Sequence, residues 1–315
     1  MKHTVFLCSA LLLLTLSCLG AKAAAEDTDI NNGFVAPPST VTVSSTSVRD
    51  LAADEAEEAE DTDLASMPLD PPYDFDPDSM QPSDFGDYFT QSYDCETETY
   101  TLLPGDSFRN EVTVIRGAED GPSVYVVAGV HGDEEAAWQT GKLLKKIGIR
   151  AGTLYILAPA NPWGAAKVPM SRYVEGKDLN RSFPGNAEGT PAQRVADAIF
   201  RDISEKQPDF VFDLHEAAIV REDRDYLGSS LIFTSLDGYD ELFFDMLWAT
   251  EDGELCSRPF FLYSPAPEGS INRTVSDQLG LPIVTVETFR GYPMENRIGD
   301  QLAIVQYVLQ SYGMV

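Results

Sequence analysis

From Ser123 to Val130 the chain reads Ser-Val-Tyr-Val-Val-Ala-Gly-Val, a stretch with almost no polar side chain. A strand wetted on one face alternates apolar with polar residues, whereas a strand apolar throughout is covered on both faces. This stretch therefore points to a layered α/β domain with helices packed on the two sides of a sheet. The flanking pattern agrees. Further strands are predicted at Val112–Ile115, Thr153–Ala158, Asp209–Leu214, Ser230–Thr234 and Pro282–Glu287. Helices are predicted at Glu134–Ile147, Pro191–Ile203, Tyr239–Thr250 and Arg297–Tyr312. Proline opens the second of these helices, where its missing N–H costs nothing. Strands alternating with helices predict one α/β domain over residues 99–315, a mixed, mostly parallel sheet with helices on both faces.

The chain before this domain has a different texture. A short basic start, the apolar run Phe6–Leu16 and the overlapping Ala21-Lys22-Ala23 and Ala23-Ala24-Ala25 sites read as a secretory signal peptide over residues 1–23. Export to a periplasmic or extracellular location is the expectation. Lipid anchoring at Cys18 is the alternative, weakened by Thr15 three positions earlier where an aliphatic residue belongs. No later segment is long and apolar enough to span a bilayer. Residues 24–98 are expected to be a disordered acidic segment, with Pro37-Pro38, Pro71-Pro72 and an acidic block from Asp54 to Asp63. Its second half interleaves Tyr73, Phe75, Phe85, Tyr88, Phe89 and Tyr93 with aspartates, and a segment packed on the domain or over its cleft is the competing reading.

Charge narrows the partners. The formal net charge is −29, and the stretch from Glu26 to Glu98 holds twenty acidic residues against the single base Arg49. Nucleic acid and anionic lipid surfaces need a basic footprint that this chain lacks. Of four cysteines, Cys8 and Cys18 lie in the signal segment; Cys95 and Cys256 remain, with a disulfide between them left open.

The histidines carry the chemistry. His3 lies in the signal segment, and His131 and His215 both follow predicted buried strands, where ligands gather in open α/β sheets. His131-Gly132-Asp133-Glu134 has the form H-x-x-E at a strand-to-helix turn, which lets imidazole and carboxylate converge. With His215 they make a His₂Glu donor set with one open position, the set of a catalytic zinc rather than a closed structural one. Each feature alone has an ordinary explanation: a satisfied histidine, a carboxylate at a helix N-terminus, a polar loop. Arg172, Asp178, Asn180 and Arg181 offer a carboxylate clamp, since guanidinium pairs with that group through two hydrogen bonds. Glu287 ends an apolar strand, and a buried carboxylate there needs a partner such as a water held at a metal.

Taken in order, His131-Gly-Asp-Glu134, Asp178-Leu-Asn-Arg181-Ser-Phe-Pro-Gly185, Asp213-Leu-His215 and Thr285-Val-Glu287 resemble the zinc carboxypeptidase superfamily, and its succinylglutamate desuccinylase and aspartoacylase branch most of all. The resemblance runs from about Val112 to Leu309. It implies one zinc per chain on His131, Glu134 and His215, and Glu287 as the general base that takes the water's proton and passes it to the leaving nitrogen. It further implies Arg172 as the oxyanion holder, Asn180 and Arg181 as binders of the substrate carboxylate, and Asp178 as support for the arginines. The implied reaction is hydrolysis of an amide bond beside a carboxylate, in a small-molecule or peptide substrate.

Three departures bear on the substrate. Members of the deacylase branch carry a β-rich domain after the catalytic glutamate, whereas only Thr288–Val315 follow it here, which implies a more open cleft. Glu216 directly follows the last ligand and is expected to add negative charge beside the metal. An exported enzyme also sits oddly with amino-acid catabolism. The readings kept open are a deacylase of N-acyl amino acids, an exported metallocarboxypeptidase acting on peptides or cell-wall stem peptides, and a retired scaffold that only binds.

Overall fold

The computed structural model of the chain describes residues 79–217 and 228–315. The expected signal peptide and most of the expected acidic segment lie outside these residues. An eight-stranded sheet forms the centre: β1 (Cys95–Leu102), β2 (Asn110–Gly117), β3 (Glu119–Ala128), β4 (Ala151–Leu157), β5 (Phe210–Ala217), β6 (Ser230–Ile232), β7 (Phe261–Tyr263) and β8 (Ile283–Phe289), in the order β1-β2-β4-β3-β5-β8-β6-β7. Strands β4, β3, β5 and β8 run parallel, and antiparallel pairings of β2 with β4 and of β6 with β8 extend the sheet on either side. The helices are α1 (Glu135–Leu144), α2 (Pro162–Ala165), α3 (Pro191–Lys206), α4 (Asp240–Glu251), α5 (Ile271–Leu279) and α6 (Met294–Ser311).

The central strands do bury both faces. Val124, Val126 and Ala128 of β3 pack with Ala137 and Leu143 of α1, Phe243 of α4 and Leu302 of α6. The alternate residues Tyr125 and Val127 pack with Val195 and Ile199 of α3 and Val275 of α5. This is the single mixed, mostly parallel α/β domain that the pattern predicts, and no helix among the described residues is long and apolar enough to cross a membrane. Because β4 and β5 lie on opposite sides of β3, the chain switches direction there, and the carboxyl ends of β3 and β5 form the switch point at which ligands gather in such sheets.

The boundary at residue 99 needs correction. Strand β1 already begins at Cys95, and the described part of the segment expected to be disordered is folded. Met80, Phe85, Tyr88 and Phe89 lie against the core on the α1–α6 face. Phe89 N–H donates to Gln306 Oε1 at 2.6 Å, and Lys146 Nζ donates to Met80 O at 2.7 Å. The aromatics that looked like adornments of an acidic tether are apolar anchors, so here the competing packed reading holds. Cys95 and Cys256 are both free thiols. Deleting residues 79–94 is expected to cost on the order of 3 kcal/mol, the burial of a few large apolar side chains. A lowered melting temperature would be the signature; an unchanged one would refute the anchoring role.

Candidate metal centre

The site is assembled at this switch point from three strand ends and one helix start. His131 lies three residues past the end of β3, and Glu134 is the N-cap residue of α1. His215 sits within β5, which runs to Ala217 and so past the Leu214 end expected from sequence. Glu287 sits within β8 as the cross-strand partner of His215. Parallel register thus delivers the base candidate beside a ligand candidate with no loop involved. Gly132 is required by crowding: a Cβ there would stand 2.4 Å from Ala165 N, so the ligand turn lies directly on α2.

The three donors are buried and converge. His131 Nδ1 is 2.6 Å from Glu134 Oε1, His215 Nδ1 is 2.7 Å from Glu134 Oε2, and one donor atom from each residue falls within 4.8 Å of the others. The outward nitrogens are held too. Asp178 Oδ1 lies 3.2 Å from His131 Nε2, and Asp213 Oδ1 lies 2.8 Å from His215 Nε2. The hydrogen bond to Asp178 holds a proton on His131 Nε2 and leaves the Nδ1 lone pair pointing inward, the usual outer support of a metal-binding imidazole, whereas Asp213 stands beside His215 Nε2 as an ion-pair partner. Two imidazole nitrogens and one carboxylate, with no thiolate, suit zinc with an open position. The donor set therefore fits the metal that the family resemblance implies.

Electrostatics follow from this packing. Burial opposes charge on Glu134, but the two histidines overcome it and hold its carboxyl well below the usual range. Burial likewise opposes charge on His215, and Asp213 and Glu134 override it, raising its pKa well above that of a free imidazole. Without metal Glu134 and His215 are thus an ion pair, and metal binding must displace the proton that His215 carries. Glu287 behaves in the opposite way. Burial pushes it up to about 7, partly offset by His215, and its Oε2 is buried with no hydrogen-bond partner.

Other candidates flank this centre. Arg172 Nη1 lies 3.8 Å from Glu134 Oε1 and its Nε 3.6 Å from Asp178 Oδ2, so Asp178 touches both a ligand candidate and the arginine. Asp178 also caps the short 3₁₀ turn Leu179–Arg181 by accepting from Asn180 N at 2.7 Å. The side chain of Asn180 is split in use: Oδ1 accepts from Ile271 N at the start of α5, and Nδ2 lies 3.4 Å from His215 Nε2. Arg181 Nη1 donates to Asn180 O at 3.0 Å. Glu216 does not add free negative charge at the ligands as expected. Alternation along β5 turns it away from His215, and its Oε1 accepts from Arg297 Nη1 at 2.5 Å.

Two features escaped the sequence reading. Arg290, just past β8, places Nη2 3.2 Å from Asp133 Oδ2 and 3.9 Å from Glu134 Oε1, a second arginine beside the ligand carboxylate. Helix α5 fixes Asn180 and also supplies Asn272, whose Nδ2 donates to Thr285 Oγ1, which in turn donates to Asp213 Oδ2. The signal for α5 was present: Ser270 caps its N-terminus and Gly280 ends it with positive φ.

Residues 120–222 match the model of the succinylglutamate desuccinylase/aspartoacylase catalytic domain. Over 107 residues the chain is 32% identical to the N-alpha-acetyl-L-2,4-diaminobutyric acid deacetylase of Halomonas elongata, a match spanning 33% of this chain and 31% of that protein. The chain thus matches less than a third of the length of that curated relative. A succinylglutamate desuccinylase from a Silicibacter species superposes with a TM-score of 0.52 at 20% identity, covering 72% of this chain and 69% of that one. A metallo-carboxypeptidase from Burkholderia cenocepacia superposes with a TM-score of 0.51 at 16% identity, covering 68% and 64%. At such identities the two structures speak to the fold alone. The segment match and the shared fold make this chain similar to the succinylglutamate desuccinylase/aspartoacylase branch of the zinc carboxypeptidase-like superfamily.

Proposed function

We propose that this chain is an exported zinc-dependent hydrolase that cleaves an amide bond beside a carboxylate, in the manner of the deacylases it resembles. The observation that carries the reading is the half-buried Glu287, whose Oε2 is itself buried and unpartnered, set in register with His215 of a converging His131–Glu134–His215 trio. A carboxylate buried without a partner is costly, and a reacting water is what would repay it here.

His131, Glu134 and His215 would hold the zinc, which when bound supplies Lewis-acid polarisation of the scissile carbonyl and a more acidic water. Glu287, poised near neutrality by burial, accepts the water's proton and hands it to the departing nitrogen. Arg172 is oriented by Asp178 and placed beside Glu134, where it holds the oxygen on which negative charge develops. Arg181, together with Asn180 through its Nδ2, takes the substrate carboxylate, which fixes the scissile bond relative to Glu287.

Purified protein is expected to contain about one zinc per chain. His131→Ala and His215→Ala should each lose it, as read by elemental analysis. Full zinc occupancy in both variants would refute the site. Substrate class is tested by offering N-acyl amino acids alongside C-terminal dipeptides and muropeptides. Turnover confined to the last two would replace the deacylase reading with a carboxypeptidase one. No hydrolysis of any member by zinc-loaded protein would count against catalysis.

A further inference from the structure

Helix α1 begins under an unusual demand. Its N-cap residue is Glu134, whose carboxylate is turned onto His131 and His215 and makes no cap hydrogen bond to its own helix. The first N–H groups of a helix have no partner within it, and burying them unpaired is costly. Glu216 fills that gap from another strand. Its Oε2 accepts from Ala136 N at 2.8 Å, in the first turn of α1. Its own backbone N–H donates to Glu134 Oε2 at 3.0 Å. The H-x-x-E turn and the strand carrying His215 are therefore interlocked by two reciprocal hydrogen bonds.

Arg297 of α6 completes the arrangement. Its Nη1 donates to Glu216 Oε1, so the carboxylate has an acceptor oxygen for each of two donors and its charge is matched. Both residues are buried, Glu216 at 3% exposure and Arg297 at 4%. Neither points at the cluster where chemistry would occur.

We propose that Glu216, charge-matched by Arg297, is the positioning residue that fixes the Glu134 carboxylate between the two histidines. It does so by capping α1 where Glu134 is diverted from that task. The inference rests on the reading of His131, Glu134 and His215 as a metal site. It predicts that geometry at Glu134, and through it metal affinity, depends on a residue that never touches the metal.

Glu216→Gln is the sharpest probe. An amide offers one acceptor oxygen where the carboxylate offers two, so it must turn its NH₂ toward either Arg297 or Ala136 N–H. The measurement is zinc affinity of the full chain by competition with a chromophoric chelator, together with the visible spectrum of the cobalt(II)-loaded protein. Glu216→Gln should bind zinc about ten- to a hundredfold more weakly, as loss of outer supports of metal ligands does, and its cobalt spectrum should change. Arg297→Lys, which keeps the charge and alters only its geometry, should show a smaller loss and remains informative if Glu216→Gln does not fold.

Tyr125→Phe serves as the control. It removes a buried hydrogen bond to Asp202 Oδ2 away from the site, so it should lower stability and leave zinc affinity unchanged. Wild-type zinc affinity and cobalt spectrum in both Glu216→Gln and Arg297→Lys would overturn the proposal. Equal weakening by Tyr125→Phe would overturn it as well, because it would reduce the effect to general destabilisation. A wild-type chain that binds no zinc would instead sink the metal-site reading itself.

Discussion

Glu287→Gln is expected to lower kcat by roughly a hundredfold to ten-thousandfold, the span of general acid–base catalysis, with zinc content and substrate affinity near wild type. The substitution keeps size and most hydrogen-bonding capacity but cannot accept a proton. Zinc should stay because His131, Glu134 and His215 form the donor cluster without Glu287. Steady-state kinetics and elemental analysis of the same preparation check both halves. Wild-type kcat would remove Glu287 from the mechanism. Loss of zinc with activity would make it a ligand.

The same substitution carries a stability prediction of opposite sign. In the metal-free protein the folded-state pKa of Glu287 is raised from 4.5 to about 7. The folded state then binds more protons than the unfolded one between these values, so stability falls as pH rises through that window. The penalty is complete above about pH 7 and absent well below 4.5. At about 1.4 kcal/mol per unit it amounts to roughly 3 kcal/mol. Metal-free Glu287→Gln should therefore be more stable than wild type at pH 8 by about that much, an advantage that fades toward pH 4. Denaturant melts at the two pH values read it directly, and equal stability at both would mean that burial imposes no such cost.

The second large effect concerns the arginines. Arg172→Ala is expected to lower kcat by on the order of a hundredfold or more, as loss of an oxyanion donor does. Arg181→Ala should mainly raise KM, because a carboxylate clamp holds ground state and transition state alike. The structure sets the two apart: Arg172 lies against Glu134 and Asp178, whereas Arg181 is tied to the backbone of Asn180. Identical kinetic profiles for the two variants would refute the division of labour.

Legibility from sequence followed the physics of periodicity. Strands buried on both faces, such as β3 and β5, announce themselves by unbroken apolar runs, and they carry or precede both histidines. Strand β1 was missed because it is an edge strand: Glu96, Thr97, Glu98 and Thr99 are all exposed, so its composition resembles the acidic segment before it. Strand β7 has three residues, too few to show any period. The aromatic anchors Phe85, Tyr88 and Phe89 stood among aspartates, and the acidic context outweighed them.

For the candidate site, sequence alone determined the residue types and their order. Spacing in H-x-x-E and placement at strand ends are local properties, which backbone geometry turns into convergent side chains without reference to the rest of the chain. Tertiary structure decided everything that depends on which strands are neighbours. The β5–β8 register places Glu287 beside His215, and the order β4-β3-β5 sets the switch point at which the site lies. Alternation along β5 sends Glu216 away from the ligands, and only the docking of α6 supplies the Arg297 that matches its charge. Arg290 beside Glu134 and Asn272 behind Asp213 belong to the same class. Glu287, Arg297 and Arg290 each meet their partner across more than seventy residues of chain, and Asn272 reaches Asp213 through Thr285. Such pairings are selected by the free energy of the whole packed core, and a charge buried at long range leaves no period in the sequence by which to read its partner.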